Sequence, residues 1–146
     1  MTIIPDESGP AGSSGGGLKP TILVVEDEHI IREMVTECLE REGYTVLSTD
    51  SATKAIELWS SRVASIPLLV ADSGLKGLRG VLLAALLMEE KPDLKVLFAT
   101  GQPSDMAMAM LKQNRNSHLL KKPYSAKELA DTVRAILRPQ PEDETK

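Results

Sequence analysis

Three short aliphatic runs, each passing straight into a polar or charged group, constrain this chain more than any other feature. Thr21-Ile22-Leu23-Val24-Val25 leads into Glu26-Asp27-Glu28, Leu68-Leu69-Val70-Ala71 into Asp72, and Val96-Leu97-Phe98-Ala99 into Thr100-Gly101. A continuous apolar run of this length suits a strand covered on both faces, the situation of a central strand in a parallel sheet. Tyr44 to Leu47 and His118-Leu119-Leu120 are weaker runs of the same kind, which makes five strands. Between them the apolar residues shift to helical spacing: Ile31, Met34, Val35, Cys38 and Leu39 share one face, and Ala52, Ala55, Ile56, Trp59 and Val63 another. Gly43 is a natural stop for the first helix, and Ser125-Ala126-Lys127-Glu128 fits a capping box opening the last. Strands alternating with helices imply crossover connections and a doubly wound α/β domain, its parallel sheet covered by helices on both sides.

The 146 residues suffice for one such domain. Residues 1–19, rich in Gly, Ser and Pro, are expected to form a flexible leading tail, residues 20–138 the folded unit, and residues 139–146 an acidic C-terminal tail behind Pro139 and Pro141. A net charge of −4 argues against a nucleic-acid-binding face, which needs clustered Lys and Arg. No apolar run approaches the roughly 20 residues that span a bilayer, so no membrane insertion is expected. The single Cys38 excludes an intrachain disulfide and lies on an apolar helix face, as a buried thiol would. A cytoplasmic location follows as the expectation. His29 and His118 lack metal-ligand spacing and receive no role.

In an open parallel sheet, ligands bind outside the carboxyl ends of the strands, so Glu26, Asp27, Asp72, Thr100 and Lys122 are expected to converge. Crowded carboxylates repel and raise one another's pKa unless a cation is present. A hard divalent ion with oxygen ligands, Mg²⁺ above all, relieves this, with Lys122 adding a further positive charge. Such a site is built for an incoming anion. Taken one at a time, these residues have plainer readings: Glu26-Asp27-Glu28 as an acidic helix start, Asp72 as a capping residue, Thr100-Gly101 as an ordinary strand exit.

Four segments in this order and spacing resemble the receiver domain of two-component response regulators. They are Val24-Val25-Glu26-Asp27-Glu28, Leu69-Val70-Ala71-Asp72 with Gly80 eight residues beyond Asp72, Phe98-Ala99-Thr100-Gly101, and Leu120-Lys121-Lys122-Pro123-Tyr124. The resemblance implies a flavodoxin-like, five-stranded sheet in order 2-1-3-4-5 with five helices. It implies that Asp72 accepts a phosphoryl group from a phosphohistidine on a sensor histidine kinase or histidine phosphotransfer protein. Asp27 and Asp72 would hold Mg²⁺, Glu26 directly or through water, with the Gly74 backbone carbonyl completing the protein ligands. Lys122 and the Thr100 hydroxyl would meet phosphoryl oxygens, Thr100 acting as the switch, and the bond before Pro123 would be cis. Gly74 and Gln102 would occupy the positions that tune attacking water. Such a domain is no enzyme beyond its own phosphorylation and slow hydrolysis, and it acts on a downstream protein whose identity the sequence does not disclose.

This chain departs from the family pattern at Glu26, where Asp is commoner, at Leu75-Lys76, which replaces a Met-Pro type pair, and at Leu119, where an aromatic residue is common. The changes at Leu75-Lys76 and Leu119 suggest an alternative, a degenerate receiver working as a phosphorylation-independent adaptor. A haloacid-dehalogenase type phosphatase would need a second aspartate where Gly74 stands. Two segments concern partners: Val81 to Met88 is apolar all round, and Met106, Met108 and Met110 fall in the expected fourth helix.

Overall fold

A computed structural model describes residues 19–73 and 79–138. Residues 74–78 with the Leu75-Lys76 pair, the leading segment before Lys19 and the acidic segment from Pro139 lie outside the described residues. Within them the chain alternates β1 (Thr21–Val25), α1 (His29–Arg41), β2 (Thr45–Thr49), α2 (Ala52–Ser60), β3 (Leu68–Ala71), α3 (Arg79–Glu90), β4 (Lys95–Thr100), α4 (Asp105–Gln113), β5 (Ser117–Lys121) and α5 (Ala126–Leu137). The five strands form one parallel sheet in the order β2-β1-β3-β4-β5. Five helices accompany it, so the flavodoxin-like expectation holds.

Alternation along the strands splits the core in two. Leu23, Val25, Leu69, Val96 and Phe98 face α2, α3 and α4, where they meet Trp59, Leu83 and Ala107. Ile22, Val24, Val70, Leu97 and Ala99 face α1 and α5, against Val35, Leu39, Leu129 and Val133. Trp59 is fully buried, and its indole nitrogen donates to Glu90 Oε1 at 2.8 Å, tying α2 to α3. The helix ends follow their local chemistry: Gly43, at φ +102°, takes the left-handed turn that closes α1, and Ser125 and Glu128 cap α5 reciprocally. Lys19, which the sequence reading leaves in the leading tail, donates to the Glu42 carbonyl at 2.9 Å and lies over the Tyr44 ring.

Two helices differ from the sequence pattern. α2 stops at Ser60, so Val63 falls in a following 3-10 turn, and Ile56 sits at the flank of the buried face, 39% exposed. In α3, Val81, Leu83, Ala84, Leu87 and Met88 are buried while Leu82 and Leu86 stand about half exposed. Met106 and Met108 are exposed on α4, whereas Met110 packs on the core.

Because every strand runs the same way, β1, β3, β4 and β5 all end at one edge. Gly80 in the first turn of α3 lies hard against the end of β3: a Cβ there would stand 2.1 Å from the Asp72 carbonyl oxygen and 2.9 Å from Ser73 Cα. Both neighbours are backbone, so relief requires moving Asp72 itself. Gly80→Ala is expected to cost about 1–3 kcal/mol in urea unfolding, the usual range for overpacking. Gly101→Ala, whose nearest contact would be Lys122 Cβ at 3.9 Å, is expected to leave the midpoint nearly unchanged.

Candidate functional site

Main-chain hydrogen bonds extend the parallel ladder past the strand ends and fix the functional segments to one another. The Glu26 N–H donates to the Thr49 carbonyl (3.1 Å), the Asp72 N–H to Val25 (3.3 Å), and the Lys122 N–H to Thr100 (2.9 Å). The Lys122–Pro123 peptide is cis. Three chain segments distant in sequence thereby point side chains into one crevice.

At its centre the Lys122 ammonium bridges two carboxylates, 3.0 Å from Asp72 Oδ2 and 3.2 Å from Glu26 Oε1. Carboxylate oxygens of Glu26, Asp27 and Asp72 lie within 4.8 Å of one another, the one such cluster among the described residues. Glu26 is only 3% exposed, whereas Asp27 is open to solvent and Asp72 is half-buried. Thr100 is buried at the end of β4, and Gln102 is exposed beyond it. Thus Glu26, Asp27, Asp72 and Lys122 come together in one contact network, while Gly74 falls outside the described residues.

Burial pushes the Glu26 carboxyl above the usual range, against the Glu28 N–H, which donates to its Oε2 at 3.1 Å, and against the charge of Lys122. For Lys122 burial acts to lower the pKa, but the Asp72 hydrogen bond and the Glu26 charge outweigh it and raise the ammonium above its ordinary value. Tyr124, beneath the site, is pushed up to about 12, chiefly by burial, and its hydroxyl has no hydrogen-bond partner. Three carboxylates therefore face one ammonium in a partly dry pocket. An all-oxygen acidic donor set of this kind fits a hard divalent cation such as Mg²⁺.

Sequence reasoning did not single out Arg32 or Tyr124 as parts of this site. Arg32 Nη1 donates to the Glu26 carbonyl at 2.8 Å and Nη2 meets His29 Nδ1 at 3.2 Å, so the first turn of α1 braces the end of β1. The available signal was a cation in the first turn after an acidic triplet, where helix-dipole preference would place an acid. His29 is exposed and lies 3.3 Å from Glu33 Oε2, outside the carboxylate cluster. Cys38 is buried with its thiol raised by burial, and Lys121 is exposed, in agreement with their sequence readings.

A doubly wound parallel sheet with an acidic cluster and a lysine at its carboxyl edge defines the class, an α/β domain with a charged crevice at its strand ends. Comparison with known proteins narrows the class: the response regulator receiver domain profile matches residues 22–134. The chain belongs to the response regulator receiver family. It is 32% identical over 120 residues to the sensor kinase CckA of Brucella abortus, covering 82% of this chain but 13% of CckA. It is 29% identical over 116 residues to the response regulator receiver protein CpdR of Brucella abortus, covering 80% of this chain and 95% of CpdR. Among solved structures, the non-phosphorylated HemR receiver domain from Leptospira biflexa superposes with a TM-score of 0.73 at 28% identity, over 84% of this chain and 99% of that one. Of the first two curated relatives, the chain spans 13% and 51% of their lengths.

The bridging contact has a measurable consequence. Lys122→Met leaves the buried Glu26 carboxylate without its cation, and a loss of about 3 kcal/mol in urea unfolding is expected, as for breaking a buried pair. In the Lys122→Met/Glu26→Gln double variant most of that loss is expected to return, which a double-mutant cycle reads directly.

Proposed function

We propose that this chain is a phosphorylation-controlled signalling receiver in which Asp72 accepts a phosphoryl group from a phosphohistidine on a sensor histidine kinase or histidine phosphotransfer protein. The observation that carries this reading is the Lys122 ammonium 3.0 Å from Asp72 Oδ2, inside a carboxylate cluster at the strand ends. In the transfer, an Asp72 carboxylate oxygen attacks phosphorus in line. The phosphorus–nitrogen bond to the donor imidazole breaks, and its electron pair and a proton end on that nitrogen. Lys122, already beside the attacking carboxylate, pairs with a phosphoryl oxygen as charge arrives. Thr100, at the end of β4 beside Lys122 in the ladder, offers its hydroxyl to another phosphoryl oxygen.

Glu26, Asp27 and Asp72 would hold Mg²⁺ together with the Gly74 carbonyl; the ion supplies charge neutralisation for the transferred group. Gln102, exposed beyond Thr100, orients the water that later hydrolyses the aspartyl phosphate. Attachment of the phosphoryl group draws Thr100 inward and shifts the loop before α4. That loop and helix, with the exposed Met106 and Met108, present the altered surface to a downstream protein. With Leu119 on β5 packed against the α4-side core in place of an aromatic residue, the signal passes through loop and helix movement. The proposed setting is cytoplasmic, and no helix among the described residues is long and apolar enough to cross a membrane.

Intact-mass analysis after incubation with acetyl phosphate and Mg²⁺ tests this reading. The wild type is expected to gain one phosphoryl group and Asp72→Ala none, with Lys122→Ala modified about tenfold more slowly, as for loss of one charge-stabilising contact. Gln102→Ala is expected to change the dephosphorylation rate, and an unchanged rate removes its assigned role. A folded wild type that gains no mass, with or without Mg²⁺, would instead favour the adaptor.

A further inference from the structure

The outward side of α3 is the one helix surface whose chemistry the signalling site leaves unexplained. Leu82, Ala85, Leu86 and Glu89 are all exposed and follow one another at spacings of three, four and seven residues, which puts them in a single stripe. Up to Glu89 that stripe carries no polar side chain, and both leucines stand about half exposed. α2 extends it. The Trp59 indole on Glu90 holds the last turn of α2 beside the last turn of α3, and both helices run back against the strands. One turn back from that contact, the exposed Ile56 therefore lies level with Leu86.

The charges of α3 are reversed with respect to its own dipole. Its last turn holds Glu89 and Glu90 and no base, and its first turn holds no acid, whereas the macrodipole favours acids at the start and bases at the end. Glu90 is engaged by Trp59. Lys91, the next residue, spends its ammonium on the Val63 and Ile66 carbonyls at 3.2 and 3.0 Å and does not offset the acids. Glu89 is left exposed at the negative end of the helix, in no ion pair among the described residues.

We propose that this face docks a second copy of the chain, the two α3 helices packing antiparallel about a two-fold axis. Leu82 of each copy seats against Leu86 of the other, and Ala85, without bulk, lets the helices approach between the leucines. That register decides the charges. Three residues outward from each leucine, Glu89 of one copy comes level with position 79 of the other, the first residue of α3, where the sequence has an arginine. The positive end of the second helix lies there too, so the antiparallel pair offers Glu89 the complement that its own helix denies it. A parallel pair would set Glu89 against its own copy. The patch is small, so the association is weak and reversible. It uses none of Glu26, Asp27, Asp72, Thr100 or Lys122 and stands independently of the phosphoryl reading.

Sedimentation equilibrium of the full chain from about 10 μM to about 1 mM, the range of weak interfaces, tests the proposal. The average mass is expected to climb from that of one chain toward that of two. Leu82→Glu/Leu86→Glu, both outward positions, is expected to stay monomeric with an unaltered melting curve. Glu89→Lys is expected to associate about tenfold more weakly, since two-fold symmetry counts its contact twice. Amide shifts of the ¹⁵N-labelled wild type locate the face without any substitution: on concentration, Leu82, Ala85 and Glu89 are expected to move while Asp27 and Lys122 stay in place. A chain that remains monomeric at the highest concentration overturns the proposal. So does a dimer that survives Leu82→Glu/Leu86→Glu, or one whose concentration-dependent shifts spare α3. Association equal or tighter in Glu89→Lys overturns the antiparallel arrangement.

Discussion

The Lys122 ammonium, shared between Glu26 and Asp72, is the interaction on which the rest of the site depends. It joins the ends of β5, β1 and β3, which no local sequence relation connects, and it partly neutralises a crevice whose side chains are otherwise acidic. Glu26 makes the dependence acute: at 3% exposure its carboxylate relies on the Glu28 N–H and on Lys122. Paired carboxylates held this way are poised for a second cation or an incoming anion, because either redistributes charge that the protein has already concentrated.

The fold supplies that concentration through backbone geometry. Parallel strands carry all their carboxyl ends to one edge, and the ladder continues through Glu26, Asp72 and Lys122 to their neighbours, so the side chains of the site stand on hydrogen-bonded strand ends. Gly80 permits the first turn of α3 to press on Asp72 from beyond β3. Arg32 does the same for β1 by holding the Glu26 carbonyl. Convergence at the carboxyl edge is a consequence of this topology, since parallel strands bring groups far apart in sequence to the same end of the sheet.

Much of this was legible in the residues because buried parallel strands need uninterrupted apolar runs. Thr21 to Val25, Leu68 to Ala71 and Val96 to Ala99 announced β1, β3 and β4, and the polar residues after them announced the site edge. The edge strands were weaker because each is less buried: only Thr49 of β2 is buried, and β5 carries His118 beside its leucines. Strand order came from resemblance, since periodicity says nothing about which strands are neighbours. The sequence placed Lys122 among the carboxylates without showing that it bridges Glu26 and Asp72, and the Arg32 brace and the buried Tyr124 hydroxyl could not be read at all, being set by side-chain reach across elements. The apolar stretch 81–88 was ambiguous because a helix of leucines and alanines carries no polar face to mark its exposed side.

Amide chemical-shift mapping of the full chain with Mg²⁺ and beryllofluoride, a stable stand-in for the attached phosphoryl group, tests the central claim most directly. If the strand ends form one cation-neutralised phosphoryl site, shifts centre on Asp72 and spread to Asp27, Thr100, Lys122 and the start of α4, and they require both reagents. A folded spectrum that stays unchanged when both are added, or changes only at surface residues remote from Asp72, would contradict it.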